Sequence, residues 1–173
     1  MSDLSVNLST ISNESIYKDP TLVSVLKSAA VSQHSGSAEL CNCLHVLSRI
    51  LYNEGSHARL LVENAIGKEN VEDLVKNKLP KFSNEADIDE KELRGIAVSE
   101  QAMQVFQTAL ELSQGTSTST STAISDMQLL FAYLRVNGEE SIFYKLYGIN
   151  IEDLINELKA ALSSQQDRKS SAA

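Results

Sequence analysis

The sequence predicts an all-α fold, made of two tandem four-helix repeats packed as a pseudo-twofold, eight-helix domain. Three observations carry this. Apolar residues recur three and four positions apart, in runs that open on Ser, Asp or Asn and close on Gly or Pro. One run in each half is apolar almost all the way round, so it belongs at the centre of a bundle rather than on its surface. The order of runs over residues 19–80 then returns over residues 99–162.

Residues 1–18 form an N-terminal arm, Ser/Asn-rich, with weak alternation at Leu4, Val6, Leu8 and Ile11. Asp19 caps the first helix, and Pro20 sits at its first position, where a missing N–H costs nothing. Leu22, Val23, Val25, Leu26, Ala29 and Ala30 form its apolar face, and Ser35-Gly36-Ser37 ends it. Ser37 is the expected cap of the second helix, which carries Leu40, Cys41, Cys43, Leu44, Val46, Leu47, Ile50 and Leu51 up to Gly55. A short helix holds Ala58, Leu60, Leu61, Val62 and Ala65 and stops at Gly67. Asn70 is the expected cap of a fourth, with Val71, Leu74, Val75 and Leu79 apolar and Pro80 closing it.

Residues 81–98 form an acidic linker containing Glu85, Asp87, Asp89, Glu90 and Glu92, which reads as a solvated charged stretch. Ser99 caps the fifth helix (Ala102, Met103, Val105, Phe106, Ala109, Leu110, Leu112). A Ser/Thr tract from Gly115 to Thr122 is a flexible loop. Ser125 and Gln128 make a capping box ahead of Met127, Leu129, Leu130, Phe131, Tyr133 and Leu134. Gly138 ends that helix, a short one with Ile142, Phe143, Leu146 and Tyr147 stops at Gly148, and Asn150 caps the last. Residues 163–173 read as a polar, frayed tail.

The repeat is explicit in the residues. Val71-Glu72-Asp73-Leu74-Val75 returns as Ile151-Glu152-Asp153-Leu154-Ile155, 80 positions on, and Val25, Leu26 and Ala29 return as Val105, Phe106 and Ala109. Leu47, Leu51 and Gly55 match Leu130, Leu134 and Gly138 at an offset of 83, the extra three residues fitting the Ser/Thr tract. Each half has one helix it cannot cover alone, so the halves should pack on each other.

Composition narrows the function. Fifteen Lys+Arg against 23 Asp+Glu leave a net charge of -8, which repels phosphate backbones and anionic lipid. Four Phe, five Tyr and no Trp leave little for base stacking. Nucleic acid and membrane are therefore not expected partners. No apolar run approaches the roughly 20 residues of a spanning helix, and the start lacks the basic and apolar regions of a signal peptide, so a cytoplasmic location is expected.

No phosphate loop, dinucleotide fingerprint, HExxH or GxSxG occurs, so no catalytic residue and no cofactor is expected. Cys41-x-Cys43-x-His45, with His34 and His57 nearby, is the one metal-like cluster. On a helix Cys41 and His45 share a face and Cys43 does not, so core packing is the simpler account and no metal is expected. Glu72/Asp73, Glu139/Glu140 and Glu152/Asp153 sit in first helical turns, where they complement the dipole. Among the aromatics of the second half, Tyr133, Tyr144 and Tyr147 are candidates for partner contact, although helical spacing also suits a core. Leu4, Val6, Leu8 and Ile11 are the candidates in the arm.

The repeat resembles the Clp N-terminal domain, the double four-helix module at the front of Clp AAA+ unfoldases. Residues Cys43-Leu44-His45-Val46-Leu47-Ser48-Arg49-Ile50-Leu51 fall on the family's Glu-His-Leu-Leu-type helix, followed by Asn53-Glu54-Gly55. In the second half Asp126-Met127-Gln128-Leu129-Leu130-Phe131-Ala132-Tyr133-Leu134 does so, followed by Asn137-Gly138-Glu139-Glu140. Tyr147-Gly148-Ile149-Asn150 matches its Gly-Val-Asp turn, and the likeness runs from about residue 20 to 162. Leu44 and Met127 replace the motif's Glu, and Gln128 replaces its second His, so acid-dependent substrate binding is not carried over. The resemblance implies a non-enzymatic domain that receives protein substrates or adaptors for an AAA+ ATPase module, in cis or in trans. The setting would be protein quality control and proteolysis, or recycling of type VI secretion sheaths, with an amphipathic helix or peptide as ligand. The alternatives are a free-standing accessory protein that stabilises a Clp protease or ATPase complex, which a chain ending at Ala173 would favour, and a small hydrolase or metal protein built on Cys41 and His45.

Overall fold

A computed structural model describes residues 13–36, 40–83, 87–115 and 124–172. Leu4, Val6, Leu8, Ile11, Ser37, Glu85 and the tract from Thr116 to Thr122 lie outside the described residues. Within them the protein is all-helical, without a strand, in ten α-helices. These are α1 (Asn13–Lys18), α2 (Pro20–His34), α3 (Cys43–Leu51), α4 (His57–Ile66) and α5 (Lys68–Asp73), which widens into a π-type turn over Leu74–Lys78. Then follow α6 (Glu90–Arg94), α7 (Glu100–Gly115), α8 (Asp126–Asn137), α9 (Ile142–Tyr147) and α10 (Ile151–Ala172).

Local chemistry explains most of these limits. The Asp19 carboxylate accepts from the backbone N–H groups of Thr21 and Leu22 at 2.9 and 3.1 Å, with Pro20 leading α2 as the sequence predicts. Gly148 closes α9 in the left-handed conformation, φ +66°, where a side chain would be strained. Asn150 Oδ1 accepts from Asp153 N at 3.1 Å and starts α10.

Among the described residues the structure holds two helices beyond the eight expected, α1 in the arm and α6 in the acidic linker, where Ile16 and Leu93 are buried. Three boundaries differ from the sequence reading, each for a physical reason. The second helix starts at Cys43 rather than near Ser37. Cys41 N donates to Ala97 O and Cys41 O accepts from Ser99 N, both at 2.8 Å, so its backbone is committed to a short parallel bridge with Val98. Asn42 is therefore the cap. Asn70 lies inside α5, and its amide donates back to Ile66 O at 2.7 Å instead of capping. The last helix continues through the polar stretch to Ala172.

The core is formed around α8, which packs on α7, α10, α3 and α4. Leu129, Leu130, Ala132 and Leu134 of α8 are fully buried, as are Leu47, Ile50 and Leu51 of α3, Phe106 of α7 and Phe143 of α9. Each such Leu, Ile or Phe side chain contributes roughly 1.5–3 kcal/mol by leaving water. The α1 helix lies against α2, α6 and α7, with Ile16 buried and Glu14 forked onto Arg94 by two 2.8 Å bonds.

Two ties join distant parts of the chain. One is the Cys41–Val98 bridge. The other runs from the start of α2 to the residue ahead of α8: Ile124 N donates to Asp19 Oδ2 at 2.9 Å, and Thr21 Oγ1 donates to Ile124 O at 2.6 Å.

Candidate functional site

The aromatic candidates take different places. Tyr133 is buried, its ring edge-on to Phe143 at 5.9 Å, and its hydroxyl oxygen accepts from Ser141 Oγ and Ile142 N at 3.1 and 3.3 Å. Burial pushes its hydroxyl up to about 12. It is placed in the core. Tyr144 is 41% exposed and free to make contacts. Tyr147 is half-buried; its hydroxyl oxygen is inaccessible and lacks a hydrogen-bond partner, and burial raises its ionisation.

The Cys41-x-Cys43-x-His45 cluster is dispersed by the fold. Cys41 is buried ahead of α3, and burial, with Cys43 adding, pushes its thiol up to about 12. Cys43 is half-buried in the first turn, where Asn137 Nδ2 approaches its sulfur at 3.6 Å. His45 is fully buried and serves the helix start. Its Nδ1 accepts from Asn42 N at 3.1 Å, while Asn42 Oδ1 accepts from Leu44 N at 2.9 Å. The proton therefore resides on Nε2, which has no partner among the described residues, and burial lowers the ring's pKa. Among the described residues no three His, Cys, Asp or Glu side chains are grouped to hold a metal. The box at α8 has the same form: Ser125 N donates to Gln128 Oε1 at 3.0 Å, and Gln128 N to Ser125 Oγ at 3.1 Å.

Among the described residues, three clefts bear on the candidate site. The first, about 420 Å³, lies where the end of α8 meets α9 and the start of α10; Leu134, Ile151 and Ile155 form its floor, Tyr144 a wall, and Arg135, Glu139 and Glu152 its rim. The second, about 370 Å³, is a groove between α4 and α10 beside the start of α8, lined by His57, Leu60, Leu61, Met127, Glu157 and Ala161. Leu60 there is 45% exposed. The third, about 150 Å³, lies beside Ser48, Tyr52, Val75, Leu79 and Phe82.

Arg49 organises the third. Its Nε donates to Ser24 Oγ at 2.8 Å and its Nη1 to Asp126 Oδ1 at 2.9 Å, which ties α2, α3 and α8 together. The guanidinium carbon lies 5.4 Å from the Tyr52 ring centre and 6.0 Å from that of Phe82, and those two rings stack at 4.2 Å. Sequence reasoning missed Phe82 and Arg49, because Tyr52 is 30 positions from Phe82, and Ser24 and Asp126 are 25 and 77 positions from Arg49. Leu60 had a signal: the apolar residues of α4 (Ala58, Leu60, Leu61, Val62, Ala65) cover more than one face, and one face is left over.

Glu72 and Asp73 close α5 rather than open a helix, because α5 begins at Lys68. The paired acids are used locally. Asp73 bonds Lys78 Nζ at 2.6 Å and Glu140 bonds Lys145 Nζ at 2.7 Å, and these partners hold both carboxyls below the usual carboxylate range. No helix among the described residues is long and apolar enough to cross a membrane. No protein-family model matches the chain, and no curated protein or solved structure matches it either.

Proposed function

We propose that the chain is a non-catalytic protein-docking domain of the Clp N-terminal type, which binds substrate or adaptor proteins for an AAA+ unfoldase in the cytoplasm. In this reading α2–α5 form one repeat and α7–α10 the other, with α3 and α8 as the matching central helices. The capping boxes support it: Asn42/His45 and Ser125/Gln128 lie 83 positions apart, the offset of the sequence repeat. The two long-range ties support it too. Cys41 and Ile124, each one residue ahead of a box, bond to the start of the opposite repeat, as a pseudo-twofold axis requires.

The observation that carries docking is the groove between α4 and α10. It presents Leu60 to solvent, with Leu61 and Ala161 half-buried beside it, Met127 buried beneath and Glu157 on its edge. An amphipathic helix with a basic polar face fits that surface: its apolar residues replace water on Leu60, and its cations meet a chain of net charge -8. Affinity purification of the chain from its native cells tests the reading, with Leu60→Asp as control. Recovery of an AAA+ ATPase or its substrate by the wild type and not by the variant supports it. Recovery of neither, or equal recovery by both, overturns it. An ATPase complex that is stabilised without any substrate transfer would favour the accessory alternative.

A further inference from the structure

We propose that the cleft at the end of α8 is a second docking site, which takes an extended peptide segment with a basic residue directly followed by an aromatic one. The inference rests on the double-repeat reading, because it compares the same place in the two halves. Tyr52 corresponds to Arg135 at the offset of 83, and Val75 to Ile155 at the offset of 80. The 150 Å³ cleft and the 420 Å³ cleft share these positions.

In the first half the chain occupies the place itself. The last helix breaks in the π-type turn Leu74–Lys78, and Leu79-Pro80-Lys81-Phe82 returns across the end of α3. That segment is held as a bound peptide would be. Ser48 Oγ donates to Pro80 O at 2.6 Å, Ser28 Oγ accepts from Ser83 N at 3.1 Å, and Phe82 lies on Tyr52. Only the small remainder stays open.

In the second half α10 does not break: it runs from Ile151 to Ala172 as one helix. No counterpart of Phe82 folds back among the described residues, and the larger cleft is left. Its chemistry defines the occupant. Arg135 stands where Tyr52 stands; its guanidinium carbon lies 6.0 Å from the Phe131 ring centre, and a ligand ring would join that stack. Glu139 and Glu152 on the rim are in no ion pair among the described residues, so a Lys or Arg beside that ring meets two carboxylates. Leu134, Ile151 and Ile155 take the apolar parts. An anionic ligand is disfavoured, because Asn150 already caps α10 and Glu152 and Asp153 fill its first turn.

The probe is a labelled peptide with the sequence of residues 79–83, titrated into the whole chain by fluorescence anisotropy and mapped by amide chemical shifts. The expected result is saturable binding, with shifts in the last turn of α8, in α9 and in the first turn of α10. The exposed double variant Glu139→Gln/Glu152→Gln should weaken it about tenfold, as two surface charge contacts imply, and a peptide with Lys81→Glu should lose as much. Arg135→Ala, also at the surface, is the second variant, with thermal unfolding as the check on folding. Absence of saturable binding, unchanged affinity in the variants, or shifts centred on Tyr52 and Phe82 overturns the proposal. Leu60→Asp should leave this affinity unchanged; if it abolishes binding, the peptide sits between α4 and α10 and the second site is refuted while the docking function stands.

Discussion

Removing the carboxylate of Asp19 should destabilise the protein by about 3 kcal/mol. The side chain is 5% exposed and satisfies three backbone donors: Thr21 N and Leu22 N through one oxygen, Ile124 N through the other. Loss of a helix cap costs about 1 kcal/mol. Stranding a buried backbone N–H costs a further ~1–3 kcal/mol, and Ile124 is buried. Asp19→Asn separates the two parts, since an amide still caps α2 but turns a donor toward Ile124; it should lose about 2 kcal/mol. Urea denaturation followed by circular dichroism at 222 nm reads both. For a chain of this size Asp19→Ala corresponds to a fall of about 6–12 °C in melting temperature. A loss under about 1 kcal/mol for Asp19→Ala, or an Asn variant as stable as the wild type, would refute the account of this tie.

Three further outcomes follow from the same geometry. His45 is neutral and buried, with its folded pKa below the unfolded value near 6.5, so its contribution is complete above about pH 6.5 and is lost as the pH falls, by up to ~1.4 kcal/mol per unit. His45→Gln, which copies Gln128 of the other box, should remove that component; urea midpoints at pH 7.5 and 5.5 that shift equally in both proteins contradict it. At pH 8 Ellman's reagent should find at most the half-buried Cys43 in the native protein and both thiols only after unfolding, because Cys41 is held protonated up to about pH 12. Two fast thiols in the native protein would place Cys41 elsewhere. Tyr133→Phe should cost about 1–2 kcal/mol by stranding its two donors, Ser141 Oγ and Ile142 N; a neutral substitution contradicts the buried position.

Helix starts that depend on neighbours in sequence were readable beforehand. Asp19, Ser99, Ser125 and Asn150 each cap a donor two or three residues on, which is a local pattern. The start of α3 was not readable, because Cys41 is drawn off the helix by Ala97 and Ser99, more than fifty residues away. The extent of α10 past Ser163 ran against composition, which carries no positive stop such as Gly or Pro there. Of the surface, Tyr144 was legible as an aromatic on a short helix. The clefts were not: two are built by side chains from distant segments, and the one at the end of α8 depends on how α8, α9 and α10 turn on one another between residues 134 and 155. Tyr133 shows the limit of residue type alone: aromatic spacing cannot separate a contact from a core ring whose hydroxyl is satisfied inside.

The bond between Asp19 and Ile124 spans 105 positions, far more than the local contacts that let helical bundles fold fast. During synthesis at roughly 5–20 residues per second, α2 is made several seconds before the residue that completes its cap. Until then Asp19 holds one oxygen open, and the faces of α3 and α4 that pack on α8 are uncovered. A nascent chain in that interval presents the apolar surface that chaperones recognise, and slow translation between residues 36 and 124 prolongs its exposure.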